Sequence, residues 1–245
     1  MVRGVIFDLG STLIYNHYDN DWPRLRPRMI ADMAAELQAQ GLTLDPEAFA
    51  ATYGRNVADF DAQRQTHFKE ITTDYILRKT LDDLAMPLNG LNASRAIAAY
   101  YAYSETQWAA MPHAHETLAE LQQRGLPLAI ISNAADEANV QRLIDNHRLR
   151  GYFDPIIVSA AVGIRKPNPK IFQPVIEAWR LPPQEIVMIG DTLGADVLGA
   201  KNAGLKSVWV TMQADTPYNT AHRHTILPDA TATSLAELPA ILESF

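Results

Sequence analysis

The chain has no cysteine. That absence removes disulfides, thiol nucleophiles and cysteine-ligated zinc. It fits a reducing compartment, so a cytoplasmic location is expected. There is no dense basic cluster beyond a few arginines after Trp22, and the formal net charge is −7. A nucleic-acid binder needs a positive footprint, so no nucleic acid is expected as a partner. No apolar run approaches the ~20 residues that span a bilayer, so no membrane partner is expected. The N-terminus enters a strand without a basic region and a long apolar stretch, and no signal peptide is read there. What is present is apolar residues, 47% of 245. That is ample for one large domain, or for a core carrying an inserted domain.

Five short runs rich in Ile and Val read as buried parallel strands: Val2–Phe7, Pro127–Ile131, Pro155–Val158, Glu185–Ile189 and Ser207–Val210. Helical patterns separate them, at His115–Arg124, Asp136–Asn146, Pro169–Arg180, Gly194–Ala203 and Ser234–Glu243. Gly125 and Gly204 stand where helices stop. Alternation of this kind predicts an α/β fold, a doubly wound, five-stranded, Rossmann-like parallel sheet. Residues 23–108 differ. They hold no convincing strand and read as helices near Pro23–Gln40, Pro46–Gln65, Lys69–Ala85 and Ala93–Trp108, an all-helical domain inserted into a core of residues 1–22 and 109–245. Gln213–Ile226 is polar and reads as a surface loop.

The chemistry sits at strand ends. Asp8 closes the apolar run of VIFDLGSTL, and Asp191 closes that of VMIGDTLGAD, with Asp196 five residues on. In doubly wound sheets, ligands bind outside the carboxyl ends of the strands. A carboxylate is a usable nucleophile for phosphorus, provided that cations and oriented donors offset the repulsion between anions. Asp8, the Gly10 carbonyl and Asp191 could hold magnesium, with Asp196 acting directly or through water. Ser132 ends LAIISNA just before a helix and could hold a phosphate oxygen. Lys166, in GIRKPNPKIF, would add a point positive charge. Gly10, Asn133 and His17 are expected beside the substrate.

Four such pieces in this order resemble the haloacid dehalogenase-like hydrolase superfamily, over roughly residues 1–15 and 110–240. VIFDLGSTL resembles its first motif, ISN its second, RKPNPKIF its third and IGDTLGAD its fourth. The insertion lies where that family places a helical cap. The resemblance implies a Mg2+-dependent phosphatase that forms an aspartyl-phosphate on a small phosphorylated metabolite. It implies Asp8 as nucleophile, Ser132 and Lys166 as phosphate ligands, and Asp8, Asp191 and the Gly10 backbone oxygen as magnesium ligands, with Asp196 a direct or outer ligand. Gly10 departs from the pattern. Phosphatases of the family usually carry there an aspartate that protonates the leaving group, although some sugar-phosphate phosphatases carry Gly. Either the leaving group departs unprotonated or another group donates, and His17 is the nearest candidate in sequence.

Other readings are weaker. A 2-haloacid dehalogenase would usually carry tyrosine at position 10 and a relaxed fourth motif. Phosphonate cleavage needs a Schiff-base lysine in the cap, and neither Lys69 nor Lys79 aligns with that role. A silent phosphate-binding or regulatory protein rests on Gly10 alone. The pairs His113/His115 and His222/His224 lack a third ligand and read as non-metal. Arg165 reads as a surface or structural partner. Tyr15, His17, Tyr18, Trp22, Arg24 and Arg28 read either as groups that stack on a sugar or bind a second anion, or as a hinge packed with aromatics and exposed arginines. The chain is expected to act as a monomer or homodimer.

Overall fold

A computed structural model describes residues 1–17, 22–86 and 88–245, without the side chains of Trp22, Pro23 and Gln65. Tyr18 and the Trp22 side chain, members of the expected hinge cluster, lie outside the described residues. The chain begins with β1 (Gly4–Phe7) and β2 (Ile14–Asn16). Four helices follow: α1 (Trp22–Ala39), α2 (Pro46–His67), α3 (Thr73–Asp83) and α4 (Ala93–Glu105). Then come β3 (Trp108–Ala110), α5 (Ala114–Gln123), β4 (Leu128–Ser132), α6 (Glu137–Asn146), β5 (Ile156–Val158), α7 (Ser159–Val162) and α8 (Gln173–Trp179). The chain closes with β6 (Ile186–Gly190), α9 (Leu198–Asn202), β7 (Lys206–Val210), α10 (Pro217–His222), β8 (Ala230–Ala232) and α11 (Leu238–Glu243).

Six strands form one parallel sheet in the order β5-β4-β1-β6-β7-β8. The fold class is the α/β, Rossmann-like one expected, with six strands in place of five. The added strand, Ala230–Ala232, pairs with Val208–Val210. Three residues reading Ala-Thr-Ala carry no apolar run, so only the pairing reveals it. The central strands are apolar on both faces because helices cover both. Val5, Phe7, Ile130 and Val187 point to one layer, with Leu118, Leu121 and Ile144. Ile6, Ala129, Ile131 and Met188 point to the other, with Phe172 and Val175. The chain runs from β1 outward to β5, then returns to the opposite side of β1 at β6. That reversal puts the C-terminal ends of β1, β4 and β6 side by side.

The four helices α1–α4 pack around their own apolar cluster, which includes Met33, Leu37, Phe49, Leu77 and Leu81. Asp45, Thr72 and Asn92 cap three of them by accepting from Glu47, Tyr75 and Arg95 N–H groups. Two backbone contacts seat this unit on the sheet. The chain segments entering and leaving it pair antiparallel as β2 and β3, Ile14 opposite Ala110 and Asn16 opposite Trp108. On the other side, Arg165 N donates to the Phe68 carbonyl (3.1 Å), Glu70 N to Gly163 (3.0 Å) and Thr73 N to Ala135 (2.9 Å). The expected loop 213–226 contains α10, and the helix expected at 194–203 opens as a single π turn, Leu193–Val197.

β1 approaches the second layer so closely that its first residue has no room for a side chain. A Cβ on Gly4 would stand 2.7 Å from the indole of Trp179, whose N–H donates to the Asp154 carbonyl. Gly4→Ala is expected to cost about 1–3 kcal/mol. Thermal unfolding should show the midpoint falling by about 2–4 °C per kcal/mol.

Candidate active site

Asp8 leaves β1 with its N–H donating to the Ile189 carbonyl of β6 (2.8 Å), so the end of one strand fixes the other. Asp191 follows β6, and Asp196 stands on the π turn behind it. Such turns recur at functional sites because they re-aim one side chain. Asp196 folds back on the strand: its Oδ2 accepts from Thr192 N (2.9 Å). Gly190 is glycine for this reason, since a Cβ there would lie 2.3 Å from the Asp196 carboxyl carbon. The Asp191 carbonyl accepts from Trp209 Nε1 (2.7 Å) and Asn219 Nδ2 (2.8 Å), and Asn219 Oδ1 accepts from Leu193 N (2.8 Å). Asn219 thus clamps the acidic loop from α10, in the stretch whose polarity had read as surface. Its only sequence signal is Thr216, which caps α10 three residues earlier.

Lys166 is 2% exposed. Its Nζ donates to Asp8 Oδ1 (2.7 Å) and to the Ile131 carbonyl (2.6 Å), and pairs with Asp196 Oδ1 (2.7 Å). Asn133 holds the lysine backbone: its Oδ1 accepts from Lys166 N (2.8 Å) and its Nδ2 donates to Lys166 O (2.9 Å). Both polar atoms of the Asn133 side chain are therefore spent on Lys166 rather than turned toward a substrate. Ser132 ends β4 in the cavity wall, and among the described residues its hydroxyl makes no hydrogen bond. Gly10 also lines the cavity, in the turn where the Leu9 carbonyl accepts from Leu13 and Ile14. His17 is exposed beyond β2, with its ring edge-on to Tyr15 at 5.2 Å. Neither it nor Tyr15, Arg24 or Arg28 lines the cavity. Arg28 lies over the Tyr103 ring instead.

Oxygens of Asp8, Asp191 and Asp196 lie within 4.8 Å of one another, and neither histidine pair forms such a cluster among the described residues. Against three carboxylates stands one ammonium, a local charge of −2 when all are ionised. Burial, opposed by Lys166 and reinforced by Asp196, pushes the Asp8 carboxyl up to about 6. Burial and the charges of Asp196 and Asp8 push Asp191 well above the usual carboxylate range. Burial disfavours the Lys166 ammonium, yet Asp196 and Asp8 outweigh it and raise its pKa. Three hard oxygen ligands with excess negative charge suit a small divalent cation. The residues present fit Mg2+.

A cavity of about 600 Å³ separates these groups from the helical unit. Its far wall is aromatic, with Tyr53, Tyr100 and Tyr101, and Trp108 stands beside Gly10. It also holds charge. Arg64 is spent on Asp61 (2.7 Å), Glu70 (3.0 Å) and the Ile71 carbonyl. Arg165, read from sequence as a surface or structural partner, lines the cavity with 24% of its side chain exposed. None of these helical-unit residues was nominated from sequence, because helical periodicity marks them only as core or surface.

The sequence model of the haloacid dehalogenase-like hydrolases matches residues 2–204. The chain is 28% identical to a glyceraldehyde 3-phosphate phosphatase of Pyrococcus abyssi, over 85% of this chain and 81% of that one. A HAD phosphatase from Thermococcus onnurineus superposes with a TM-score of 0.66 at 23% identity, over 98% of each chain. A 2-haloacid dehalogenase from Pseudomonas syringae gives 0.70 at 22% identity, over 100% of this chain and 99% of that one. These two likenesses speak for the fold, and the family match spans β1, β4, β5 and β6 of the sheet, the helical unit and the acidic loop. The chain belongs to the haloacid dehalogenase-like hydrolases.

Proposed function

We propose that the protein is a Mg2+-dependent phosphatase that hydrolyses the phosphomonoester of a small metabolite through an aspartyl-phosphate on Asp8. The observation that carries this reading is the triad of buried carboxylates around the Lys166 ammonium. A dehalogenation site has no use for so much negative charge, whereas a phosphoryl-transfer site offsets it with a cation. The similarity to the glyceraldehyde 3-phosphate phosphatase, over 85% of this chain, supports the same reaction class.

In this mechanism a carboxylate oxygen of Asp8 attacks phosphorus, and the ester P–O bond breaks with its electron pair on the departing oxygen. Water then attacks the same phosphorus, releasing inorganic phosphate and restoring the Asp8 carboxylate. Lys166 keeps Asp8 oriented and places positive charge beside the phosphoryl oxygens. The Ser132 hydroxyl donates to one of those oxygens. Asp8, Asp191 and the Gly10 carbonyl would hold Mg2+, with Asp196 a direct or outer ligand, and the ion would supply the charge that offsets the phosphate. Asn133 acts as a positioning residue through the Lys166 backbone. Residues 23–108 serve as the cap over a core of 1–22 and 109–245, and exclude water from the cavity.

Gly10 supplies no general acid. His17, exposed and outside the cavity wall, does not fill that role in this arrangement. The leaving group therefore departs with little protonation, which favours substrates whose alcohol is acidic. The position has room for more: a Cβ on Gly10 would meet the Trp108 ring at 3.4 Å, an ordinary contact.

Phosphate release from p-nitrophenyl phosphate and a panel of sugar and acyl phosphates should require Mg2+, vanish with EDTA, and vanish in Asp8→Asn. Turnover that survives EDTA, or survives Asp8→Asn, would sink the mechanism. Asp191→Asn should raise the melting temperature of the metal-free protein near neutral pH. A carboxyl whose pKa is raised in the folded state favours folding below its unfolded pKa, and that contribution is lost as pH rises through the folded value. Each tenfold gain in proton affinity on folding corresponds to about 1.4 kcal/mol, which removing the charge restores. The same variant should lose the rise in melting temperature that Mg2+ gives the parent; an undiminished rise would take Asp191 out of the metal site. Gly10→Asp should speed hydrolysis of alkyl phosphates by ~10²-fold, within the range of general acid catalysis, and p-nitrophenyl phosphate far less. Equal effects on both would show that proton donation does not limit the parent enzyme.

A further inference from the structure

Arg165 has its backbone locked and its guanidinium nearly unpartnered. Its N–H donates to the Phe68 carbonyl (3.1 Å) and its carbonyl accepts from Asn168 (2.9 Å), so the residue is fixed where the helical unit meets the core. The side chain enters the cavity wall one residue before Lys166. Its nearest anion is Glu70, at 3.7 Å from Nη1, and no hydrogen bond from the guanidinium is formed among the described residues. Glu70 is already engaged elsewhere: Oε1 pairs with Arg64 Nε (3.0 Å) and accepts from Ile71 N (3.0 Å), and Oε2 accepts from the Ser159 hydroxyl (2.6 Å). Burial holds the Arg165 pKa below its ordinary value, against the pull of Glu70. The guanidinium is partly desolvated, with 24% of the side chain exposed, and its five donors find only the distant Glu70 carboxylate within the protein.

The charge balance of the cavity points the same way. On the core side, Lys166 faces Asp8, Asp191 and Asp196, an excess of two negative charges that a divalent cation cancels. On the far side and at its seam with the core, Arg26, Arg64 and Arg165 stand with Asp61 and Glu70, an excess of one positive charge. The wall as a whole carries four positive and five negative side chains, so the positive excess is local to the surroundings of Arg165. A planar, bidentate guanidinium suits a carboxylate.

We infer that Arg165 is a specificity-determining residue that binds a carboxylate on the substrate, which makes the substrate class phosphorylated carboxylic acids. This rests on the phosphatase reading only in placing the phosphate at Asp8.

The test uses probe pairs that differ only in carboxylate against hydroxymethyl: 3-phosphoglycerate with glycerol 3-phosphate, and 6-phosphogluconate with sorbitol 6-phosphate. The intact protein is assayed with Mg2+ for turnover and, where none occurs, for calorimetric binding. In at least one pair the acid should be preferred by about tenfold or more, in KM or Kd, as expected for a hydrogen bond between charged groups. Arg165→Met should bring that ratio near one, and Arg165→Lys should keep part of it. No acid preference in either pair with the parent protein overturns the inference, even if the variants fail to fold. So does an Arg165→Met protein that weakens both members equally. Acid-selective binding without turnover would leave the inference standing and remove the phosphatase reading. Turnover without acid preference would do the reverse.

Discussion

The site depends on one buried ammonium held among three carboxylates. Lys166 reaches from its loop to the Ile131 carbonyl, Asp8 and Asp196, and so joins the ends of β4, β1 and β6. An unpaired lysine there would be costly, and so would the unpaired acids. Neither half is stable without the other, and together they still leave negative charge that burial makes worse. The fold accepts this frustration at its switch point, which is where a catalytic centre keeps groups poised for a cation and an anion that arrive from outside.

Much of the surrounding structure exists to hold those four residues. Asn133 spends its whole amide on the Lys166 backbone. Asn219 and Trp209 tie the Asp191 carbonyl from the opposite side, and Gly190 yields its side-chain volume to Asp196. The helical unit closes over this floor by two separate backbone tethers, one at β2–β3 and one at residues 68–73. The second tether also fixes the residue before Lys166. Seating of the helical unit and geometry of the reactive floor are thus coupled through a few main-chain hydrogen bonds.

Fold alone does not choose the reaction. A 2-haloacid dehalogenase and a HAD phosphatase superpose on this chain almost equally well. The same strand-ending aspartate can attack carbon or phosphorus, and the neighbouring charges decide which electrophile is tolerated. The excess negative charge of the acidic loop is what supports the phosphoryl-transfer proposal, and under that proposal the absence of a side chain at Gly10 moves the demand for a good leaving group onto the substrate.

The sequence by itself determined the sheet-and-helix alternation, the inserted helices, the strand-end positions of Asp8, Ser132 and Asp191, and the loop position of Lys166 after the third strand. Apolar runs broken by a single carboxylate, hydroxyl or lysine are local patterns, and local patterns are legible in one chain. It missed β8, because three small residues carry no periodic signal, and it misread residues 213–226, because Asn219 is polar for a partner far away in the chain. It placed Asn133 and His17 beside the substrate by proximity in sequence. Tertiary structure turned the first onto a backbone and left the second outside the cavity wall. Only tertiary structure could put Arg165 and the aromatic wall around one cavity, since helical periodicity says which face is buried and not what that face looks at. Pairing, charge balance and cavity shape depend on which distant segments meet, and the hydrogen bonds that bring them together are made only in the folded chain.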